Sequence, residues 1–171
     1  MAEVRRCNKK EWEIYPTANI TPTTKLIQGK DSFIGDFAFI HCGKLVLGAR
    51  SQINAGVYVI GGGDLEMGND CVISYHSTVI TGTDQPSARY MNDARSTDER
   101  NVIRGKIVLG ERVFIGANSV IAISEKHPTI KIADGVVVGS GAYIGRSITE
   151  KDIVKRPETV WREYPRRYKN G

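Results

Sequence analysis

Aliphatic side chains recur in this sequence in steps of six. Leu47, Ile53 and Val59 form one run, and Met67, Ile73 and Val79 a second. Leu109, Ile115 and Ile121 form a third, and Ile132, Val138 and Ile144 a fourth; Ile34 and Ile40 make a fifth, partial set. All fourteen positions hold Ile, Leu, Val or Met, although these types supply only 42 of the 171 residues, so composition alone does not account for the pattern. A period of six fits neither a lone helix, at 3.6, nor a lone strand, at 2. It fits a chain that runs a short strand, turns a corner and repeats. Three such sides close an eighteen-residue triangle, and stacked triangles make a β-solenoid.

The residue two before each inward aliphatic also points inward, by strand alternation. These positions read Leu45, Leu65, Ile107 and Ile130 on the first side. They read Ser51, Cys71, Val113 and Val136 on the second, and Val57, Ser77, Ser119 and Ala142 on the third, mostly small as a narrow prism needs. Glycine follows the inward aliphatic at Gly35, Gly48, Gly68, Gly110, Gly116, Gly139 and Gly145. The expectation is that it eases a sharp corner where a Cβ is strained. The rival architecture, a β-sandwich with glycine-rich turns, has no reason to keep one phase over so many residues.

The breaks in the period are informative. Ile40 to Leu47 is seven residues, Val59 to Met67 eight, Val79 to Leu109 thirty and Ile121 to Ile132 eleven. Every interruption falls between the third side of one coil and the first side of the next. All additions are therefore expected at one corner, and binding residues concentrate on loops carried by a rigid scaffold.

The segments IVLGERVFIGANSVI (107–121) and VVVGSGAYIG (136–145) resemble the repeats of hexapeptide-repeat acyltransferases, over roughly residues 26 to 148. The closer resemblance is to the branch that acetylates sugars and antibiotics, including enzymes of surface-polysaccharide and lipopolysaccharide synthesis. The resemblance implies an all-β, left-handed parallel β-helix of about four to five triangular coils, an exception to the usual right-handed crossover. It also implies a homotrimer, acetyl-CoA as cosubstrate, a carbohydrate or nucleotide-sugar acceptor, and active sites between neighbouring subunits.

One domain is expected, organised as a lead-in over 1–25, a solenoid over 26–148 with an external loop at 82–105, and a basic tail over 149–171. No apolar run approaches eighteen residues and the N-terminus has no apolar signal core, so neither a membrane span nor a leader is expected. Three cysteines, Cys7, Cys42 and Cys71, are too few and odd in number for a disulfide framework. A cytoplasmic, reduced protein follows, with Cys71 as a core filler and no nucleic-acid partner.

Acyl transfer to a hydroxyl or amine needs a proton acceptor, an oxyanion donor and a groove for the pantetheine arm. The sugar and antibiotic branch often carries a His at the start of its long arm, where this chain has Thr81-Gly-Thr-Asp84-Gln85. Asp84 is well placed along the chain, but an ordinary Asp is a weak base at neutral pH. His76, three residues past Ile73 at the next corner, suits the task by its intrinsic pKa. Both are catalytic candidates, and an amine acceptor needs less help from a base. The missing His also leaves room for an inactive member. In the arm, Gln85, Arg89, Tyr90, Arg95 and Arg100 are candidates to hold the acceptor. The alternative is a loop that pairs its own charges. The short insertion 124–129 either lines or caps the same site.

Gly116-Ala117 and Gly139-Ser140 are candidates for the donor site, since small residues leave backbone N–H groups open to the pantetheine. Residues 151–171 hold seven Lys or Arg against three acids, a balance suited to phosphates or to a solvated cover. Family members commonly end in a Gly-x-Pro-Ala turn near the CoA nucleotide. Here Pro165, followed by Arg166 and Arg167, stands in that place without the Gly and Ala. A γ-class carbonic anhydrase-like zinc site needs three converging histidines. His41, His76 and His127 occupy different phases of the repeat, so no metal is expected. A non-catalytic scaffold is the remaining alternative, and the long polar arm argues against it.

Overall fold

The structure, a computed structural model, describes residues 14–84, 88, 90, 91, 94–96 and 99–149. It is a parallel β-solenoid with three faces. The first face stacks Lys25–Gln28, Lys44–Leu47, Asp64–Met67, Lys106–Leu109 and Thr129–Ile132. The second stacks Phe33–Ile34, Gln52–Ile53, Val72–Ile73, Phe114–Ile115 and Val137–Val138. The third stacks Asn19–Ile20, Phe39–Ile40, Tyr58–Ile60, Thr78–Ile80, Val120–Ala122 and Tyr143–Ile144. No helix among the described residues is long and apolar enough to cross a membrane.

The solenoid winds about six turns, more than the four to five expected. The missed turn is the first. Ile14 bridges to Ile34, and Ile20 pairs with Ile40, so the stack begins before residue 26. Gln28 takes the inward place that Leu47 fills one coil higher, and this polar residue hides the coil from an aliphatic count. Its Nε2 donates to the carbonyl of Ser32 at 3.1 Å.

The fourteen aliphatics at six-residue steps are all buried, none more than 3% exposed. They are in register from coil to coil, as in Leu47, Met67, Leu109 and Ile132. Each fully buried aliphatic contributes roughly 1.5–3 kcal/mol against leaving it in water. The buried serines are explained by the corners. Ser51 Oγ donates to Gly68 O at 2.6 Å and accepts from Cys71 N at 2.9 Å. Ser77 and Ser119 likewise donate to Gly116 O and Gly139 O, one coil higher. Each hydroxyl satisfies backbone groups that the turn leaves without a ladder partner. Burial pushes the Cys42 thiol up to about 11 and raises that of Cys71, so both are inert core side chains.

Two corners have four-residue turns with a left-handed third residue. On the first-to-second corner these residues are Asp31, Arg50, Asp70, Arg112 and Gly135. The charges alternate in sign up this edge, and Arg50 pairs with Asp70 at 2.6 and 2.7 Å. The glycines that follow the inward aliphatics are not among the positive-φ residues. At Gly35, Gly48, Gly68, Gly110 and Gly116 the cause is therefore coil-on-coil contact, and not the corner strain expected: a Cβ on Gly68 would lie 2.6 Å from Gly110 O, and one on Gly35 2.8 Å from Ala55 N.

On the first face Glu66 ties three coils together, accepting from Lys44 at 3.0 Å and Lys106 at 2.7 Å. The two ammonium groups hold its carboxyl below the ordinary range.

Gly68→Ala is expected to destabilise the fold by about 1–3 kcal/mol, the usual range for overpacking, read from urea unfolding midpoints. Because the folded-state pKa of Glu66 is depressed, its contribution is present above the ordinary carboxylate pKa and is lost as pH falls. Glu66→Gln is thus expected to lower stability at pH 7 and to flatten the acid limb of a stability profile recorded from pH 7 to pH 3.

Candidate functional site

Every loop that departs from the four-residue length lies between the third and first faces: 41–43, 61–63, 81–105 and 123–128. The long insertion leaves the column through a narrow neck. Thr81 is fully buried; its Oγ1 donates to Ile60 O at 2.8 Å and accepts from Gly63 N at 3.0 Å. Gly105 N then returns to Thr81 O at 2.8 Å, and Lys106 N binds Pro128 O in the coil above at 3.0 Å. Above the neck, Gly82–Asp84 pairs antiparallel with Val102–Arg104, the one antiparallel pair among the described strands. The stalk of the arm is therefore a hairpin built on the column.

The arm brings two of its candidate residues together. Arg100 donates to both oxygens of Asp84, from Nε at 3.0 Å and Nη2 at 2.8 Å to Oδ1 and from Nη2 at 3.0 Å to Oδ2. The side chains are only 13% and 16% exposed, so this pair is well shielded from water. The Arg95 guanidinium lies 4.3 Å over the Tyr90 ring and pairs with Glu99 at 3.3 Å. The described part of the arm thus neutralises much of its own charge. Gln85 and Arg89 lie outside the described residues, as do Pro165, Arg166 and Arg167.

His76 lies at the opposite edge of the third face, on the second-to-third corner. It adopts φ 55°, a left-handed conformation that His tolerates better than most residues. Its exposed ring covers Gly56 of the coil below, where a Cβ would fall on the imidazole. Gly116-Ala117 and Gly139-Ser140 occupy the same corner in adjacent coils, stacked one on the other. The N–H of Gly116 is not open as expected: it donates to Val138 O at 2.9 Å, because the next coil uses it. Gly139 belongs to the uppermost described coil of its face, so no described strand stacks above it. Ser74 stands in the column of Gly35, Asn54, Gly116 and Gly139, whose three glycines make it read as spacers in the sequence.

The corner and its flanks are apolar and open. Phe37 is 70% exposed and Tyr75 54%, and Phe114 and Val137 on the second face are about two-fifths exposed. His41 and His127 lie at the arm corner, away from His76. Among the described residues no three His, Cys, Asp or Glu side chains gather closely enough to hold a metal ion.

The repeat and the fold both match known proteins. Residues 106–146 match the model of the hexapeptide repeat of succinyl-transferase. Crystal structures of AntD, an N-acyltransferase from Bacillus cereus, share the fold. A variant in complex with dTDP-4-amino-4,6-dideoxyglucose and coenzyme A is 29% identical, with a TM-score of 0.72 over 84% of this chain and 75% of that one. The complex with dTDP and 3-hydroxybutyryl-CoA is 27% identical, with a TM-score of 0.65 over 82% and 76%. The AntD structures include variants of one serine and of one aspartate that stand ten positions apart in that chain.

Removing the guanidinium from the shielded pair leaves Asp84 without its partner in the stalk. Arg100→Ala is expected to raise amide hydrogen exchange at residues 82–84 and 102–104 at least about fivefold, the effect of roughly 1 kcal/mol of lost local stability. Exchange in the inward strands of the column stays unchanged.

Proposed function

We propose that this hexapeptide-repeat solenoid is an acyltransferase that moves an acyl group from coenzyme A to an amino group on a nucleotide-linked sugar. The observation that carries the reading is a spacing. Ser74 and Asp84 stand ten positions apart, as do the serine and the aspartate substituted in AntD. Here those two residues flank the third face, Ser74 on the second-to-third corner and Asp84 on the stalk of the arm. Within one subunit a whole face separates them. They meet in a homotrimer, where the arm corner of one subunit faces the second-to-third corner of its neighbour. The exposed Phe37, Tyr75, Phe114 and Val137 support such an assembly, since exposed apolar side chains gathered on one flank suit an interface.

The chemistry follows from this arrangement. The neutral amine of the acceptor attacks the thioester carbon, a C–N bond forms, the C–S bond breaks, and the amine proton leaves. Asp84 orients the amine: Oδ1 takes two bonds from Arg100 and Oδ2 takes one, which leaves Oδ2 a lone pair for an N–H of the acceptor. Ser74 supplies a hydroxyl to the same cleft from the neighbouring subunit, and His76, two residues on, an imidazole that can accept the proton. The pantetheine arm runs along the corner of Gly116-Ala117 and Gly139-Ser140. Pro165, Arg166 and Arg167 of the tail meet the CoA phosphates. Tyr90 and Arg95, with Gln85 and Arg89, enclose the sugar from above. Residues 1–13, ahead of the first described turn, and 149–171 cap the two ends of the solenoid; an apolar depression at the upper end, lined by Val108, Ile132, Ala133 and Ile148, adjoins Thr149, where the tail begins. The enzyme works in the cytoplasm, where acyl-CoA and nucleotide sugars are available, and its product serves surface-polysaccharide synthesis.

The test is thiol release from acetyl-CoA and 3-hydroxybutyryl-CoA with a panel of amino-deoxy nucleotide sugars. Turnover is expected with at least one acceptor, with kcat/KM reduced by about tenfold or more in Asp84→Asn and in Ser74→Ala. Mixing the two variants under conditions that exchange subunits is expected to restore part of the rate, because some clefts then hold both residues. A panel with no thiol release, together with no CoA binding by calorimetry, would leave a scaffold.

A further inference from the structure

The third face carries rings where a solvent-facing strand does not need them. Its outward column reads Asn19, Phe39, Tyr58, Thr78, Val120 and Tyr143 in register. Two adjacent rings lie just below the arm. Phe39 and Tyr58 have centroids 6.2 Å apart, and Phe39 and His41 lie 6.5 Å apart and within 22° of parallel. Tyr58 is 48% exposed, so its ring face is open.

This aromatic patch leads into the stalk. The carbonyl of His41 accepts from Gly62 N at 3.3 Å. The Arg104 side chain passes over Gly62, where a Cβ would lie 3.2 Å from its Nε. Gly62 has φ 75° and no side chain, which leaves the guanidinium uncovered on that side. Arg104 is exposed, and no carboxylate pairs with it among the described residues, whereas Arg50, Arg95, Arg100 and Arg112 each have one. Arg104 stands opposite Gly82, and Asp84 is two residues along the same strand. By strand alternation Arg104 and Asp84 therefore share one face of the hairpin, as diagonal neighbours about 7–8 Å apart.

We infer that Phe39, His41, Tyr58 and Arg104 form a seat for the nucleoside diphosphate of the acceptor. The order along the strip is ring, cation, carboxylate. That matches base, diphosphate and amino sugar when the amine lies at Asp84. Every base has a π-face for a ring to stack on, and an unpaired Arg presents two N–H groups to a phosphate. The inference rests on the acyl-transfer reading for the place of the amine, and it names the residues that hold the other end of the acceptor.

Calorimetric titration of the full chain with dTDP, with UDP and separately with coenzyme A tests it. At least one nucleoside diphosphate is expected to bind. Tyr58→Ala is expected to weaken it at least about fivefold, and Tyr58→Phe to leave it nearly unchanged. Arg104→Gln is expected to weaken the diphosphate by a similar factor but not the matching nucleoside, whereas Tyr58→Ala weakens both. Affinity for coenzyme A stays within about twofold in all three variants. Unchanged nucleotide affinity in both Tyr58→Ala and Arg104→Gln overturns the seat. So does a Tyr58→Ala protein that has fallen to monomers in sedimentation, since the ring then belongs to a subunit contact. A wild-type protein that binds coenzyme A but neither diphosphate overturns the seat alone, and one that binds none of the three removes the acyl-transfer reading as well.

Discussion

The backbone of each coil rests on the next so closely that a methyl group between them has no room. The column through Gly29, Gly48, Gly68 and Gly110 shows this, since a Cβ on any of the first three would meet backbone of the coil above. This contact holds the six-residue phase. Two corners keep four-residue turns, and from Asp31 upward the third residue is left-handed in every described coil. A longer turn at either one would lift the next coil off its neighbour. Length can vary only at the remaining corner, and there it does, from a few residues to the whole arm.

The core is thin, and its polar groups are arranged with the same economy. Ser51, Ser77 and Ser119 each serve a carbonyl and an N–H of a neighbouring turn, Ser32 serves a carbonyl of its own turn, and among the described residues no buried side-chain N or O lacks a hydrogen-bond partner. On the outside, Glu66 joins three coils through Lys44 and Lys106, and Arg50 joins two through Asp70. Buried hydroxyls and vertical ion pairs reinforce a stack whose main cohesion is aliphatic burial and parallel pairing.

Much of this was legible from residue order, because a solenoid repeats its contacts at a fixed step. The inward columns, the three sides and the single irregular corner all follow from the phase of Leu47, Ile53 and Val59 and their equivalents. The first turn escaped because Gln28 replaces an aliphatic there. The glycines were noticed for a turn they do not make, since crowding between coils leaves no mark on a linear sequence beyond small size. The candidate site was less legible for a related reason. Asp84 and Arg100 are sixteen residues apart in an arm without periodicity, so nothing short of the hairpin reveals that they pair. Ser74 stands in a column where room already demands a small residue, so its hydroxyl cannot be told from a spacer.

The neck of the arm has a consequence for how such proteins diversify. Thr81 and Gly105 clasp each other through one short hydrogen bond, and the coil above resumes as though nothing had been inserted. The two ends of the excursion are thus pinned independently of its length, and lengthening a closed loop costs only about 0.6 kcal/mol per doubling. Arms of other lengths and compositions can be grafted at this clasp while the stack beneath stays intact. A lineage built on it can trade one acceptor for another without renegotiating its stability.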